Sequence, residues 1–135
     1  MRYLLLYLFV LITFTVLDSV WLGLIAGGLY KKELGVLLSN NIRYMPAALF
    51  YIMYAFGVLY FCVYPAIINK KKYLGLINGF LFGLICYATF GLTNYAVIEG
   101  WSLKTVWVDL VWGSASAALT TFLAILVGNN LKKTN

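Results

Sequence analysis

Two aspartates stand inside the most apolar stretches of this sequence, and each is followed by a tryptophan at the same spacing. The two segments are LDSVWLG at 17–23 and VDLVWGS at 108–114, so both contain the pattern D-x-V-W. Residues three apart share one face of a helix. Carboxylates in a medium of low dielectric can share and exchange a proton, and tryptophan faces attract organic cations. The pattern therefore suits binding or proton-coupled movement of a small cationic or amphipathic molecule.

The same acids also suit general acid–base catalysis on a lipid substrate, which makes a membrane-embedded enzyme, or a partner of one, the second function class. The sequence has no histidine, and histidine is the commonest general base and metal ligand. We also find no nucleophile constellation, no phosphate-binding loop and no metal-ligand spacing. We therefore identify no catalytic residue, expect no metal and no cofactor, and favour a protein that is not an enzyme.

The composition places these acids in a membrane. Of the 135 residues, 64% are hydrophobic and only 10% are charged, whereas soluble domains carry about 25% charged residues. The formal charge of +6 comes from lysines and arginines near the ends of apolar runs. That placement suits lipid headgroups rather than nucleic acid. We expect membrane lipids as partners and no nucleic acid.

Four apolar runs are long enough to cross a bilayer as helices, which needs about 20 residues. The candidates are roughly 3–29, 45–68, 73–97 and 104–127. The first run is too long for a signal peptide, so we interpret it as a retained membrane helix. The fold class is then all-α: a single domain over 1–135, an integral membrane four-helix bundle with up-down topology and short loops. The longest connection, 31–43, contains several leucines and is expected to lie partly in the interface, with a short helix as one form it could take.

Positive residues predict the orientation. The N-terminus, the 69–72 loop and the C-terminus share a side that holds six lysines and arginines, against four on the other side. Both termini are therefore predicted to be cytoplasmic. In that orientation Asp18 and Asp109 reach a similar depth in the outer half of the bundle.

The other polar residues of the helices collect at the same depth. A carboxylate facing lipid costs several kcal/mol, so both acids are expected to face inward. We predict a ligand-binding pocket lined by Asp18, Trp21, Tyr51, Asn94, Asp109 and Trp112. The third helix also carries a glycine stripe, Gly75, Gly79, Gly83 and Gly91. Such a stripe favours close helix packing within the chain, or a homodimer face as the alternative.

Several stretches together resemble one bacterial membrane family, catalogued as domain of unknown function 2177. They are LDSVWLGLIAGGLYKKELG, MPAALFYIMYAFGVLYF, YATFGLTNYAVIEGW and VDLVWGSASAAL, in that order along nearly the whole chain. The resemblance implies a four-span, multi-pass protein of the cell inner membrane and no established activity. The family's third-helix motif reads like Y-D-L-T-N, and here the stretch is FGLTN, with Gly91 where the acid is expected. If that acid is a ligand or a proton carrier, this chain has changed or lost that part of the function.

Three interpretations of the acids remain open at this point. The first is a site that binds or transports a small molecule, and the second is the lipid enzyme or its partner. The third is a structural scaffold without a ligand, in which the acids only hydrogen-bond between helices. The matching D-x-V-W segments also hint at an antiparallel internal repeat, a pattern found in transporters.

Overall fold

The computed structural model describes residues 1–131. All secondary structure in that part of the chain is helical, with no strand. Four helices are long and apolar enough to cross a membrane. We call them the first to fourth spans, and they are Arg2–Ile25, Tyr44–Ile68, Lys72–Val97 and Leu103–Leu131. The prediction of an all-α membrane protein with four spans is confirmed.

The first span presents one face to the rest of the bundle. Its buried residues are Leu6, Val10, Phe14 and Asp18, spaced four apart. Residues at this spacing lie above one another on a helix. Asp18 is therefore the polar end of a stripe that is otherwise the apolar core, and only 6% of it is exposed.

The first span ends earlier than the sequence suggested. It finishes in a wide π-helical turn, Trp21–Ile25, and the backbone bends at Ala26 before a separate helix, Gly27–Leu34. A short 3-10 turn, Gly35–Leu37, follows. We call Gly27–Leu34 the connecting helix. The apolar run predicted as one helix over 3–29 is divided because the bend at Ala26 redirects the chain back over the bundle.

The second span also contains a wide turn, and proline accounts for it. The π-helical segment Val58–Val63 comes just before Pro65. Proline has no N–H, so the carbonyl four residues earlier loses its helical partner. That carbonyl belongs to Phe61, and the side-chain amide of Asn78 donates to it at 3.2 Å. A neighbouring span thus satisfies the freed backbone group, as the bilayer interior requires.

The third and fourth spans pack backbone against backbone. A Cβ added at Gly83 would lie 2.0 Å from the carbonyl oxygen of Gly113, and one added at Gly79 would lie 2.9 Å from that of Ala117. All four glycines of the predicted stripe are buried. The stripe therefore serves close packing within the chain, so a homodimer would have to use another face.

The two ends of the bundle differ. At one end the guanidinium of Arg2 donates to the carbonyl oxygen of Gly128 at 2.9 Å, joining the first and fourth spans. At the other end lie the connecting helix and the turn between the third and fourth spans; we call it the site end. The predicted cytoplasmic location of the termini stays a prediction. Lys132 and Lys133, which contributed to it, lie outside the described residues.

Candidate functional site

Asp18 accepts two hydrogen bonds from other spans. The hydroxyl of Tyr51 donates to its Oδ2 at 2.5 Å, and the indole Nε1 of Trp112 donates to its Oδ1 at 3.0 Å. The carboxylate is thereby fixed between the first, second and fourth spans.

Asp109 is held by the connecting helix. The hydroxyl of Tyr30 donates to Asp109 Oδ1, and the indole Nε1 of Trp21 donates to the Tyr30 oxygen at 3.1 Å. Burial, together with the hydrogen bond to Asp109, raises the pKa of the half-buried Tyr30 hydroxyl. Tyr30 therefore stays protonated at neutral pH and remains a donor to the carboxylate.

The two D-x-V-W segments meet through their tryptophans. The rings of Trp21 and Trp112 are stacked, with centroids 4.5 Å apart and planes 2° from parallel. Each indole N–H serves the acid of the other segment. Trp112 bonds directly to Asp18, whereas Trp21 reaches Asp109 through Tyr30. The two segments therefore form a crossed pair, although an internal repeat as such stays a prediction.

A cavity of about 710 Å³ lies beside this pair at the site end. Both carboxylates and both stacked tryptophans line it. The other lining residues are Leu22, Gly27, Tyr30, Lys31, Leu34, Leu38, Phe50, Tyr54, Cys86, Tyr87, Phe90, Trp101 and Thr105. Eight of the 17 lining residues are aromatic, which is typical of pockets for small organic ligands. The arrangement can hold an apolar or aromatic body with a positive charge at the acids.

Four of the six predicted site residues line this cavity: Asp18, Trp21, Asp109 and Trp112. Tyr51 does not line it but holds Asp18 in place through its hydrogen bond. Asn94 is not among the lining residues of this cavity, so its place in a ligand site stays a prediction. It lies one helical turn beyond Phe90, towards the end of the third span at Val97, and its side chain has no hydrogen bond to the residues described.

Sequence reasoning missed most of the cavity wall. Tyr30 lies just beyond the first predicted helix, 3–29, and Lys31 begins the predicted connection, 31–43; the connecting helix brings both to the cavity. Trp101 lies in the short turn before the fourth span, where an aromatic residue is typical of the membrane interface. The signals available were the Gly27–Gly28 pair, which can mark a turn, and the position of Thr105 four residues before Asp109.

Two further features bear on the chemistry of this end. Gly91, where the family resemblance predicts an acid, is buried, and a Cβ there would lie 3.2 Å from Val106 Cγ1. A larger side chain would therefore press on the fourth span.

Within residues 1–131, no three Cys, Asp or Glu side chains come together as metal ligands.

Comparison with known proteins found a match at the level of the family. No curated protein and no solved structure matches the chain. A family model described as "Predicted membrane protein (DUF2177)" matches residues 3–126, which is most of the chain. The resemblance seen in the sequence is thereby confirmed, and the chain belongs to the DUF2177 family of membrane proteins.

Proposed function

We propose that this protein binds a small amphipathic cation in the cavity at the site end, as the binding step of transport across or within the membrane. One observation carries the proposal. Two carboxylates and a stacked tryptophan pair line the same cavity of about 710 Å³, whose wall is otherwise mainly aromatic and aliphatic.

The charges support a positive ligand. Asp18 and Asp109 are 6% and 7% exposed, so they face the interior of the bundle rather than lipid. Asp109 Oδ2 accepts no hydrogen bond from residues 1–131, since Tyr30 uses Oδ1. A carboxylate offers about four acceptor positions. The free positions could receive an ammonium group, and the tryptophan faces would add cation–π attraction.

A proton can take the place of the cation at these acids. An ionised carboxylate in an apolar cavity is costly unless it is paired. Binding of a cation would favour the ionised form, and its departure would favour protonation. The proposal therefore includes exchange of a proton for the ligand. The exchange can be measured as the number of protons released into a weakly buffered solution when the cation binds. We expect at most about one proton per bound cation, because a nearby positive charge favours the ionised carboxylate.

The first test is binding of tetraphenylphosphonium, measured by quenching of tryptophan fluorescence in detergent. Trp21, Trp101 and Trp112 line the cavity, whereas Trp107 is 63% exposed on the outer surface. Tetraphenylborate has the same shape and the opposite charge, so it controls for partitioning into the micelle. We expect saturable quenching by the cation only.

The variants Asp18→Asn and Asp109→Asn remove charge and keep shape. Each is expected to weaken cation binding at least about tenfold, which corresponds to about 1.4 kcal/mol. Glu99→Gln is the matched control, because Glu99 is exposed and does not line the cavity. Equal affinity in all four proteins would contradict the proposal. Strong destabilisation of both aspartate variants without any ligand effect would favour the scaffold.

The second candidate function is an enzyme that acts on lipids. The supporting observation is the mainly apolar lining of the cavity, which suits an acyl chain. The cation experiment separates the two. A lipid-modifying enzyme would bind a neutral diacylglycerol analogue as well as the cation and would not discriminate by charge. A preference of tenfold or more for the cation favours transport or binding.

We also propose that the protein lies in the cell inner membrane with both termini cytoplasmic. The supporting observation is the excess of positive residues, six against four, on the side that carries the termini. A green fluorescent protein fused at the C-terminus should fluoresce, and alkaline phosphatase fused there should be inactive. The opposite pair of results would reverse the orientation.

A further inference from the structure

Three buried polar groups at the cavity have no hydrogen-bond partner among residues 1–131. The indole Nε1 of Trp101, the hydroxyl of Thr105 and the hydroxyl of Tyr54 are all buried and have no hydrogen-bond partner within the described residues. Each belongs to a residue that lines the cavity. Thr105 is fully buried. Buried polar groups in proteins are almost always paired, so a ligand is the natural partner for these.

The lining residues occupy three levels along the bundle. A helix rises 1.5 Å per residue. From the span bounds, Thr105 lies about 3 Å from the site end, Asp18 and Asp109 about 10 Å, and Tyr54 and Tyr87 about 15 Å. Contacts between spans agree with this order, since the ring of Tyr87 lies against Gly113, one turn deeper than Asp109.

Three donors line the cavity towards the site end, beside the apolar side chains of Leu34 and Leu38. They are Thr105, two residues into the fourth span, and Trp101 and Lys31, which lie outside the spans in the turn before the fourth span and in the connecting helix; we call these three residues the donor cluster. The indole N–H and the lysine ammonium can only donate hydrogen bonds. Lys31 is exposed at the rim of the cavity and has no ion pair within residues 1–131. The group that complements this cluster is a hydrogen-bond acceptor with negative charge, such as a carboxylate, sulfonate or phosphate.

The deepest level is mainly apolar. Tyr54 packs among the rings of Phe14, Phe82 and Tyr87, with centroids between 4.4 and 6.2 Å away. Its free hydroxyl offers a single donor, which an ether or carbonyl oxygen in the apolar body could satisfy. From the deepest level to the rim, the cavity therefore presents apolar rings, then two carboxylates, then donors.

We propose that the ligand is a betaine-type amphiphile, in which a cationic nitrogen lies between an apolar body and an oxyanion. The nitrogen lies against Asp18 and Asp109, and the oxyanion accepts hydrogen bonds from the donor cluster. This inference rests on the proposed function, because it assumes that a cation binds at the acids, and it adds the second charge and the order of the groups.

Three amphiphiles with the same 12-carbon chain test the order directly. Dodecyltrimethylammonium has the cation alone, dodecyl sulfobetaine has the nitrogen inside and the sulfonate outside, and dodecylphosphocholine has the reverse order. Their affinities are measured by tryptophan quenching as mole fractions in dodecyl maltoside micelles. We expect the sulfobetaine to bind about tenfold more tightly than either of the others. Equal or weaker binding of the sulfobetaine would overturn the inference.

Two variants locate the oxyanion. Thr105→Val keeps the side-chain shape, and since it removes an unpaired buried hydroxyl we expect it to fold. Lys31→Gln removes the charge at the rim, and Lys32→Gln is its matched control, because Lys32 is exposed and does not line the cavity. Thr105→Val and Lys31→Gln should each weaken sulfobetaine binding three- to tenfold and should not weaken dodecyltrimethylammonium binding, because that amphiphile has no oxyanion for the donor cluster. Equal losses for both amphiphiles would overturn the inference.

Failure of this inference and failure of the proposed function give different results. If dodecyltrimethylammonium binding is insensitive to Asp109→Asn, the acids do not hold a cation and the proposed function fails. If that binding is sensitive but the sulfobetaine has no advantage, only the inference fails. The sulfobetaine headgroup without its dodecyl chain tests whether the ligand must carry an apolar chain. Competition by this headgroup as strong as that of the full amphiphile would overturn the assignment to an amphiphile.

Discussion

The packing of the third span on the fourth allows a prediction with a worked magnitude. In Gly83→Ala the new Cβ would lie 2.0 Å from the carbonyl oxygen of Gly113, which is 1.4 Å closer than an ordinary contact at 3.4 Å. The two nearest obstructing atoms, the oxygen and its carbon, are backbone, and the third is Ala117 Cβ at 2.8 Å, so no rotamer change can relieve the clash. The two helices must separate. Overpacking costs about 1–3 kcal/mol, and we take the upper value because backbone must move.

Alanine also favours the helix over glycine by about 0.5–1 kcal/mol, so the net loss in the free energy of unfolding is about 2 kcal/mol. This corresponds to about a thirty-fold change in the unfolding equilibrium constant. The assay is unfolding in mixed micelles by increasing mole fraction of dodecyl sulfate, followed by circular dichroism.

Two other glycines provide a graded control series. A Cβ at Gly91 would lie 3.2 Å from Val106 Cγ1, and one at Gly23 would have nothing within 4 Å. We expect Gly91→Ala to lose less than about 1 kcal/mol, and Gly23→Ala to be unchanged or slightly more stable. If Gly83→Ala were as stable as Gly23→Ala, the third and fourth spans could not be packed backbone to backbone.

Three further predictions concern the site end. Tyr30→Phe removes the donor to Asp109 and should cost about 1 kcal/mol; faster hydrogen exchange confined to the connecting helix would identify the cause, and unchanged exchange there would contradict it. Glu33→Gln should change stability by less than about 0.5 kcal/mol, because the ion pair with Lys104 spans 4.0 Å and the lysine side chain is 63% exposed; a loss above 1 kcal/mol in the same unfolding assay would show that this contact has been underestimated. Cys86 lines the cavity and Cys62 is fully buried, so N-ethylmaleimide should modify Cys86 first, and tetraphenylphosphonium should slow that step; equal rates for the two thiols would argue against access through the cavity.

The sequence predicted the features that depend on composition and local spacing. Four spans follow from the length of the apolar runs. The inward direction of Asp18 and Asp109 follows from the cost of a carboxylate in lipid, and both are buried in the structure. The glycine stripe predicted a close helix contact, since small residues four apart lie on one face. Each of these inferences needs only residues within one helix.

The features that were missed depend on a change in chain direction or on contacts far apart in sequence. Nothing in the apolar run to Tyr30 required the bend at Ala26, which carries Tyr30 to Asp109, 79 residues away. The place of Trp101 in the cavity depends on how the short turn before the fourth span folds. Asn94 was grouped with the acids because of its depth, but it is not among the residues that line the cavity.

Photolabelling distinguishes a cation that binds between the two carboxylates and the aromatic wall from one that binds on the outer surface of the bundle. The probe is an amphipathic quaternary ammonium bearing a diazirine, with modified residues located by mass spectrometry. If the cation binds in the cavity, we expect labels on cavity residues such as Tyr30, Trp101 and Tyr87, and both tetraphenylphosphonium and Asp109→Asn should suppress them. Labels confined to outer residues such as Trp107 and Val111, which are 63% and 71% exposed, and insensitive to competitor would contradict it.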